Sequence, residues 1–330
     1  MSNTQDPIGI VITGATSGVG RATARRFARE GCSIALLARG TEGLEATVAE
    51  VERLGGQAVS IPTDVSDPDQ VASAADIAES RLGGIDVWIN NAMTTVFSFF
   101  EDCEPEEFRR ATEVTYLGTV WGTREALRHM EKRGDGVIIQ VGSALAYRGI
   151  PLQAAYCGSK HAILGFTESV RSELLHNHSK IHLGMVQLPA VNTPQFSHCR
   201  SKFDKHPMPV PPIYQPEVAA DAVHLAVTER RREIYVGYPT ILTILGNKVS
   251  SAALDEYLAH SGVESQLADA APDPENEKGN LFHPVHGDPG GHGMFDDRAR
   301  SFSPALWLSK NRKQVGIAMS ALVATLLLRR

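Results

Sequence analysis

Short apolar runs alternate along this chain with longer stretches in which apolar residues return every three or four positions. The short runs have the length of buried strands, and the longer ones have the period of helices that pack by one face. Strands are predicted at Gly9–Thr13, Ser33–Ala38, Gln57–Pro62, Ile85–Asn90, Gly136–Val141, Ile181–Gln187 and Glu233–Val236. Helices are predicted at Gly18–Glu30, Thr41–Leu54, Asp67–Leu82, Pro105–Arg133, Ala154–His176 and Pro216–Glu229. Strand followed by helix, repeated, is the pattern of a parallel sheet covered by helices on both faces. The expected fold class is therefore α/β, a doubly wound parallel sheet with a C-terminal extension.

The pattern changes after Gly246. A helix is predicted near Lys248–Ser261, followed to Ser303 by a stretch rich in Pro, Gly, His and acids. Lys310, Arg312 and Lys313 then precede the uncharged run Val315–Leu328, with Arg329 and Arg330 behind it. As a helix this run covers about 21 Å, short of a hydrocarbon core of about 30 Å. Its basic flanks can reach lipid headgroups, so membrane contact through residues 313–330 is one reading. A helix docked on an apolar groove of a partner subunit is the other. The expected division is a catalytic domain at 1–246, an extension at 247–312 and a basic-flanked apolar helix at 313–330.

Composition narrows the function classes. A formal net charge of −6 gives no general attraction to polyanions, so nucleic acid is not an expected partner. Cys32, Cys103, Cys157 and Cys199 are scattered without a CxxC pair, and the N-terminal MSNTQDP has no basic-then-apolar leader. Both point to a reducing, cytoplasmic location. His283, His286 and His292 lack Cys or carboxylate partners at ligand spacing, so no metal site is expected.

The chemistry-bearing residues fall at the carboxyl ends of the predicted strands, where such sheets bind ligands. TGATSGVG, Thr13 to Gly20, joins the first strand to the first helix. Gly14, Gly18 and Gly20 let that backbone turn tightly and approach a pyrophosphate at the helix N-terminus; a glycine-rich turn with no ligand is the alternative. Tyr156 and Lys160 are four apart in AAYCGSKHA and share one face if the run is helical. An ammonium beside a phenol stabilises the phenolate, which makes Tyr156 a usable acid or base near neutral pH. Arg39 ends the second strand with no acid beside it, and a guanidinium there suits the 2′-phosphate of NADP(H) better than the bare ribose of NAD(H).

In combination these motifs resemble the short-chain dehydrogenase/reductase family over about Asp6 to Gly246. TGATSGVG resembles its cofactor turn, which brings in Ser17 and Val19 beside the glycines, and NNA at Asn90–Ala92 resembles its fourth-strand motif. Ser143 with YCGSK at Tyr156–Lys160 matches its catalytic spacing, and LPAVNT at Leu188–Thr193 resembles the segment that holds the nicotinamide carboxamide. The resemblance implies a Rossmann-type fold and carbonyl–alcohol interconversion with NADP(H). In that scheme Tyr156 exchanges the proton, Ser143 orients the substrate oxygen, and Lys160 holds the ribose and lowers the tyrosine pKa. It further implies cofactor contacts from Thr13, Asp64, Val65, Asn91, Ala92, Pro189, Val191 and Thr193, and a homo-oligomer built on the two long helices after the fourth and fifth strands. A plain turn residue is the alternative for Asp64.

Two positions depart from the family pattern. VTYLG places Thr115 where an asparagine usually completes the catalytic set, and Met93 follows NNA where glycine is common. A threonine hydroxyl can donate and accept but lacks an amide's reach, so a working, slower proton relay through Thr115 is expected. The variable segment Thr193 to Gln215 is long and proline-rich; Phe196, Phe203, Met208 and Tyr214 could cover a substrate or simply pack beneath the loop. With Leu145, Tyr147 and Ile150 as an opposite wall, the expected substrate is an apolar carbonyl or alcohol. A cofactor-binding scaffold of marginal turnover is the second function class, suggested by Thr115 and the long tail.

Overall fold

The computed structural model describes residues 7–317 and residue 320. One parallel sheet is made from β1 (Gly9–Thr13), β2 (Ser33–Ala38), β3 (Gln57–Pro62), β4 (Val87–Asn90), β5 (Val137–Ser143), β6 (His182–Leu188) and β7 (Glu233–Tyr235). Its order is β7-β6-β5-β4-β1-β2-β3, and every pairing in it is parallel. The connection after β3 returns to the far side of β1, so the chain leaves the ends of β1 and β4 in opposite directions. That divergence opens a crevice at their carboxyl ends.

Successive strand residues point to opposite faces, and each face has its own cover. Ile10, Ile12, Ile34, Leu36 and Ile89 belong to one apolar cluster with Ala24 and Phe27 of α1 (Gly18–Ala28). Val11, Ala35, Leu37, Trp88 and Ile138 belong to the other, with Val71 and Ala74 of α2 (Pro68–Leu82). Buried on both faces, these strands read as unbroken apolar runs. Local signals set the ends of α2: the Asp67 carboxylate accepts from the amides of Asp69 and Gln70 at 3.0 and 3.2 Å, and Gly83 closes it with φ 75°.

The predicted helix Pro105–Arg133 is interrupted. It runs as α3 (Pro105–Thr112), a π-turn at Glu113–Leu117 and α4 (Gly118–Arg133). Single π-turns of this kind cluster at functional sites. The next helix, α5 (Ala154–His176), matches its prediction, and α6 (Pro216–Thr228) covers the α1 side of the sheet. Two helices follow β7, α7 (Gly237–Val249) and α8 (Ser251–Ser261), where one was predicted near Lys248–Ser261. Position 246 thus lies inside α7.

The extension crosses back over the domain. Asn276, buried, donates from Nδ2 to the carbonyls of Phe196 and Cys199 at 3.0 and 2.8 Å, and Ala299–Arg300 pair with Ile213–Tyr214. Most of the apolar run Val315–Leu328 lies outside the described residues. Among the described residues no helix is long and apolar enough to cross a membrane.

Candidate active site

The crevice is held open by hydrogen bonds between β1 and the NNA motif. Thr13 Oγ1 accepts from the amides of Asn91 and Ala92 at 3.0 and 3.1 Å, and Asn91 Nδ2 donates to the carbonyls of Thr13 and Gly14 at 3.0 and 3.1 Å. Asn90 is turned the other way, into a buried network with Trp88, Thr123 and Gln140. At the glycine turn, Gly14 and Gly18 take φ 65° and 49°, values that side chains disfavour. Gly20 packs on the Gly14 carbonyl and has Asn91 Nδ2 2.6 Å from where a Cβ would stand. Helix α1 begins with no side-chain cap and no acid in its first turn. Its leading amides suit an anion.

Two cavities lie in the crevice. The first, of about 200 Å³, is lined by Gly14, Ser17, Gly18, Arg39, Asp64 and Val65. Asn91, Ala92 and Thr193 lie on its inner side. The second, of about 410 Å³, contains Ser143, Tyr156 and Lys160, with Pro189 and Val191 across from them. Val19, Asn91, Met93 and Thr193 line both, so the cavities adjoin. The glycine turn, Arg39 and the Tyr–Lys pair therefore fit an extended dinucleotide, with its phosphates at α1 and its two ends in the two cavities. Thr13, Gly20 and Thr115 line neither cavity; the first two shape the turn from behind.

Ser143 ends β5, where its Oγ accepts from the Leu145 amide at 3.1 Å. Tyr156 and Lys160 stand one turn apart on α5, with the Lys160 ammonium 5.4 Å from the tyrosine ring centre. Lys160 is buried, donates from Nζ to the Val141 carbonyl at 2.7 Å, and is drawn down to about 8 by that burial. The expected depression of the tyrosine is not found in this arrangement. Burial pushes the Tyr156 phenol well above its ordinary value, and the Ser143 hydroxyl opposes this only in part. Desolvation of the phenolate is the larger effect here.

Thr115 sits in the π-turn, fully buried, and does not reach the cavity. Its Oγ1 accepts from the Thr94 amide at 3.1 Å and donates to the Thr94 carbonyl at 3.0 Å. A hydroxyl engaged in both directions with one residue holds a loop rather than passing a proton. Of the apolar cover, Leu145, Ile150, Phe196 and Met208 line the larger cavity, joined by Leu254 and Leu258 of α8. Tyr147 instead donates to Glu233 at 2.5 Å, Tyr214 is buried in the main core, and Phe203 packs beneath the loop.

The sequence reading missed a third set of residues. The segment 280–290 crosses the cofactor side as a strap, with Asn280, Pro284, Val285, Gly287 and Pro289 lining the smaller cavity. The Gly18 amide at the head of α1 donates to the Gly290 carbonyl at 3.3 Å. Buried Arg21 pairs with Glu50 at 3.0 Å and with Asp288 of the strap. The stretch has no periodicity that would have marked it, and its contacts are made to residues far away in the chain.

Comparison with known proteins agrees with the fold. Residues 9–203 match the family model described as short chain dehydrogenase. An uncharacterized oxidoreductase of Bacillus subtilis is 33% identical over 76% of this chain and 72% of its own length. A fatty acyl-CoA reductase of Acinetobacter baylyi is 32% identical over 68% of this chain and 74% of its own. Among solved structures, levodione reductase is 30% identical with a TM-score of 0.54, covering 58% of this chain and 74% of that one, and a putative short-chain alcohol dehydrogenase from Sinorhizobium meliloti is 30% identical with a TM-score of 0.52, covering 55% and 72%.

Proposed function

Because the chain belongs to the short-chain dehydrogenase/reductase family, and is thus an oxidoreductase served by a nicotinamide cofactor, we propose that it interconverts an apolar carbonyl compound and its alcohol with NADP(H). The observation that carries this reading is the meeting of Ser143, Tyr156 and Lys160 in one apolar cavity next to the glycine turn. Arg39, with no acid at the end of β2, supports NADP(H) over NAD(H).

When bound, the nicotinamide supplies or accepts the hydride. The protein's task is to place the substrate oxygen and manage its proton. Ser143 holds that oxygen by a hydrogen bond, and Tyr156 Oη gives it a proton as the carbonyl is reduced. Burial raises the phenol further above neutral pH, which suits Tyr156 to the proton-donor role. Lys160 carries the positive charge next to that proton and is the residue placed to hold the ribose hydroxyls. Thr115 acts from behind, by fixing the loop at Thr94 next to Met93. Leu145, Ile150, Phe196, Met208, Leu254 and Leu258 keep water from the reacting carbonyl and favour an apolar substrate. The fatty acyl group in the name of the Acinetobacter relative agrees with such a wall.

The proposal includes a cytoplasmic homo-oligomer whose catalytic domain spans about residues 1–246, with membrane contact through residues 313–330 read from sequence alone. The test is loss of NADPH absorbance with a panel of apolar ketones and aldehydes, run in parallel with NADH. Turnover with NADPH supports the reading. Tight NADPH binding without turnover across the panel would favour the scaffold role, and preference for NADH would overturn the use made of Arg39.

A further inference from the structure

Arg39 and Arg110 come from separate elements, the end of β2 and helix α3, and reach one atom. Arg39 Nη1 donates to the Leu281 carbonyl at 3.3 Å, and Arg110 Nε donates to the same oxygen at 3.1 Å. Arg39 Nη2 adds the carbonyls of Asn280 and, at 3.4 Å, His283. Arg110 is charge-balanced by Asp64, with Ser66 beside it. Among the described residues Arg39 has backbone carbonyls as its partners and no ion pair. Arg39 and Asp64 line the smaller cavity, and Arg110 stands behind them, joined to both through Asp64 and the shared Leu281 carbonyl. Two guanidinium groups and one carboxylate thus leave a net positive charge beside that cavity, gathered around a neutral oxygen.

A carbonyl is a weak occupant for such a place. An anion adds charge–charge attraction to the hydrogen bonds that a guanidinium gives a neutral acceptor, and a phosphate can engage two planar forks together. Leu281 itself is fully buried in a cluster with Val96, Ala111 and Ala155, so its side chain anchors the strap while its peptide lies over the two arginines.

We propose that Arg110 is a second specificity-determining residue for the 2′-phosphate of NADP(H), forming with Arg39 a two-arginine clamp that the phosphate takes over from the strap carbonyl at Leu281. This rests on the NADP(H) reading above. Binding of a 2′-phosphate then releases the strap peptide at residues 280–283, whereas a cofactor lacking that phosphate leaves it in place.

The test is equilibrium binding of NADPH and NADH, followed by fluorescence, to full-length wild type, Arg39→Gln and Arg110→Lys. Lysine keeps a charge for Asp64 and removes the planar fork. The clamp predicts that Arg110→Lys lowers the NADPH-to-NADH affinity ratio by about tenfold or more, with NADH affinity little changed. A purely structural role for Arg110 would move both affinities together and leave the ratio where it was, which would overturn the proposal. Should wild type bind both cofactors alike, the NADP(H) reading falls with it; should Arg39→Gln shift the ratio and Arg110→Lys not, only the second arginine is refuted. Wild type alone supplies an independent readout through hydrogen exchange of the strap. Exchange of the amides at residues 280–283, where Asn280 N–H is bonded to the His198 carbonyl, should be faster with adenosine 2′,5′-bisphosphate than with ADP, and equal exchange would refute the takeover of Leu281.

Discussion

Replacing Lys160 with methionine should stabilise the fold at neutral pH while removing the charge proposed to serve the ribose and the proton. Lys160 is buried with the Val141 carbonyl 2.7 Å from Nζ, and burial lowers its pKa from 10.5 to about 8. At about 1.4 kcal/mol per pKa unit, keeping the ammonium charged at about pH 7 costs the fold on the order of 3 kcal/mol. Methionine fills similar space without charge and gives up one hydrogen bond, worth about 1 kcal/mol. The expected gain is therefore about 2 kcal/mol at about pH 7. The folded chain releases this proton near 8 and the unfolded chain near 10.5. Between those values the unfolded state binds more protons, so wild-type stability rises with pH through that window, while below it this group contributes a constant penalty. The variant lacks the rise, and its advantage should shrink and reverse by about pH 10. Urea midpoints for both proteins at several pH values between about 7 and 10 measure this directly. A variant less stable than wild type at about pH 7, or a difference that does not change with pH, would refute the buried ammonium as the source.

The remaining predictions concern the turn, the π-turn, the strap and the pH profile. Gly20→Ala places a methyl against the Gly14 carbonyl and Asn91 Nδ2, and should cost about 1 to 3 kcal/mol in thermal or urea unfolding and weaken NADPH binding. Thr115→Val strands the buried amide and carbonyl of Thr94; it should lose about 1 to 3 kcal/mol of stability, yet change turnover per folded molecule by less than about threefold, as steady-state rates on folded fractions will show. Asp288→Ala removes the strap's partner for Arg21, and should speed hydrogen exchange in residues 285–290 while leaving the strands unchanged. The rate of carbonyl reduction should fall as pH rises through about 8, where Lys160 loses its charge; a rate that holds level to about pH 10 would contradict its role.

How legible each part was in the sequence follows from the range of the interactions that form it. β1 and β2 fall where predicted because each is an apolar run, and β3, QAVSIP, because its apolar residues are bounded by a glycine pair and a proline, all local signals. The π-turn was hidden inside one continuous helical pattern, since the hydroxyl that locks it answers to Thr94, far back in the chain. Helix α7 was missed because Gly237, Pro239 and Gly246 punctuate it like a turn, while its packing against the sheet end supplies what local propensity lacks. Ser143, Tyr156 and Lys160 could be paired from spacing on one helix and a strand end. The charge state could not, because desolvation depends on what closes over the ring. The strap was illegible for the same reason: Pro and Gly set no period, and its course is drawn by Arg21, Arg39 and Arg110.

The central claim is that Tyr156 gives the substrate oxygen its proton. Single-turnover reduction of an apolar ketone by NADPH, compared in wild type and Tyr156→Phe with NADPH affinity measured on both, tests it most directly. The account predicts a rate lowered by about a hundredfold to ten-thousandfold with affinity nearly unchanged. A phenylalanine variant that reduces the ketone at a rate close to wild type would contradict it.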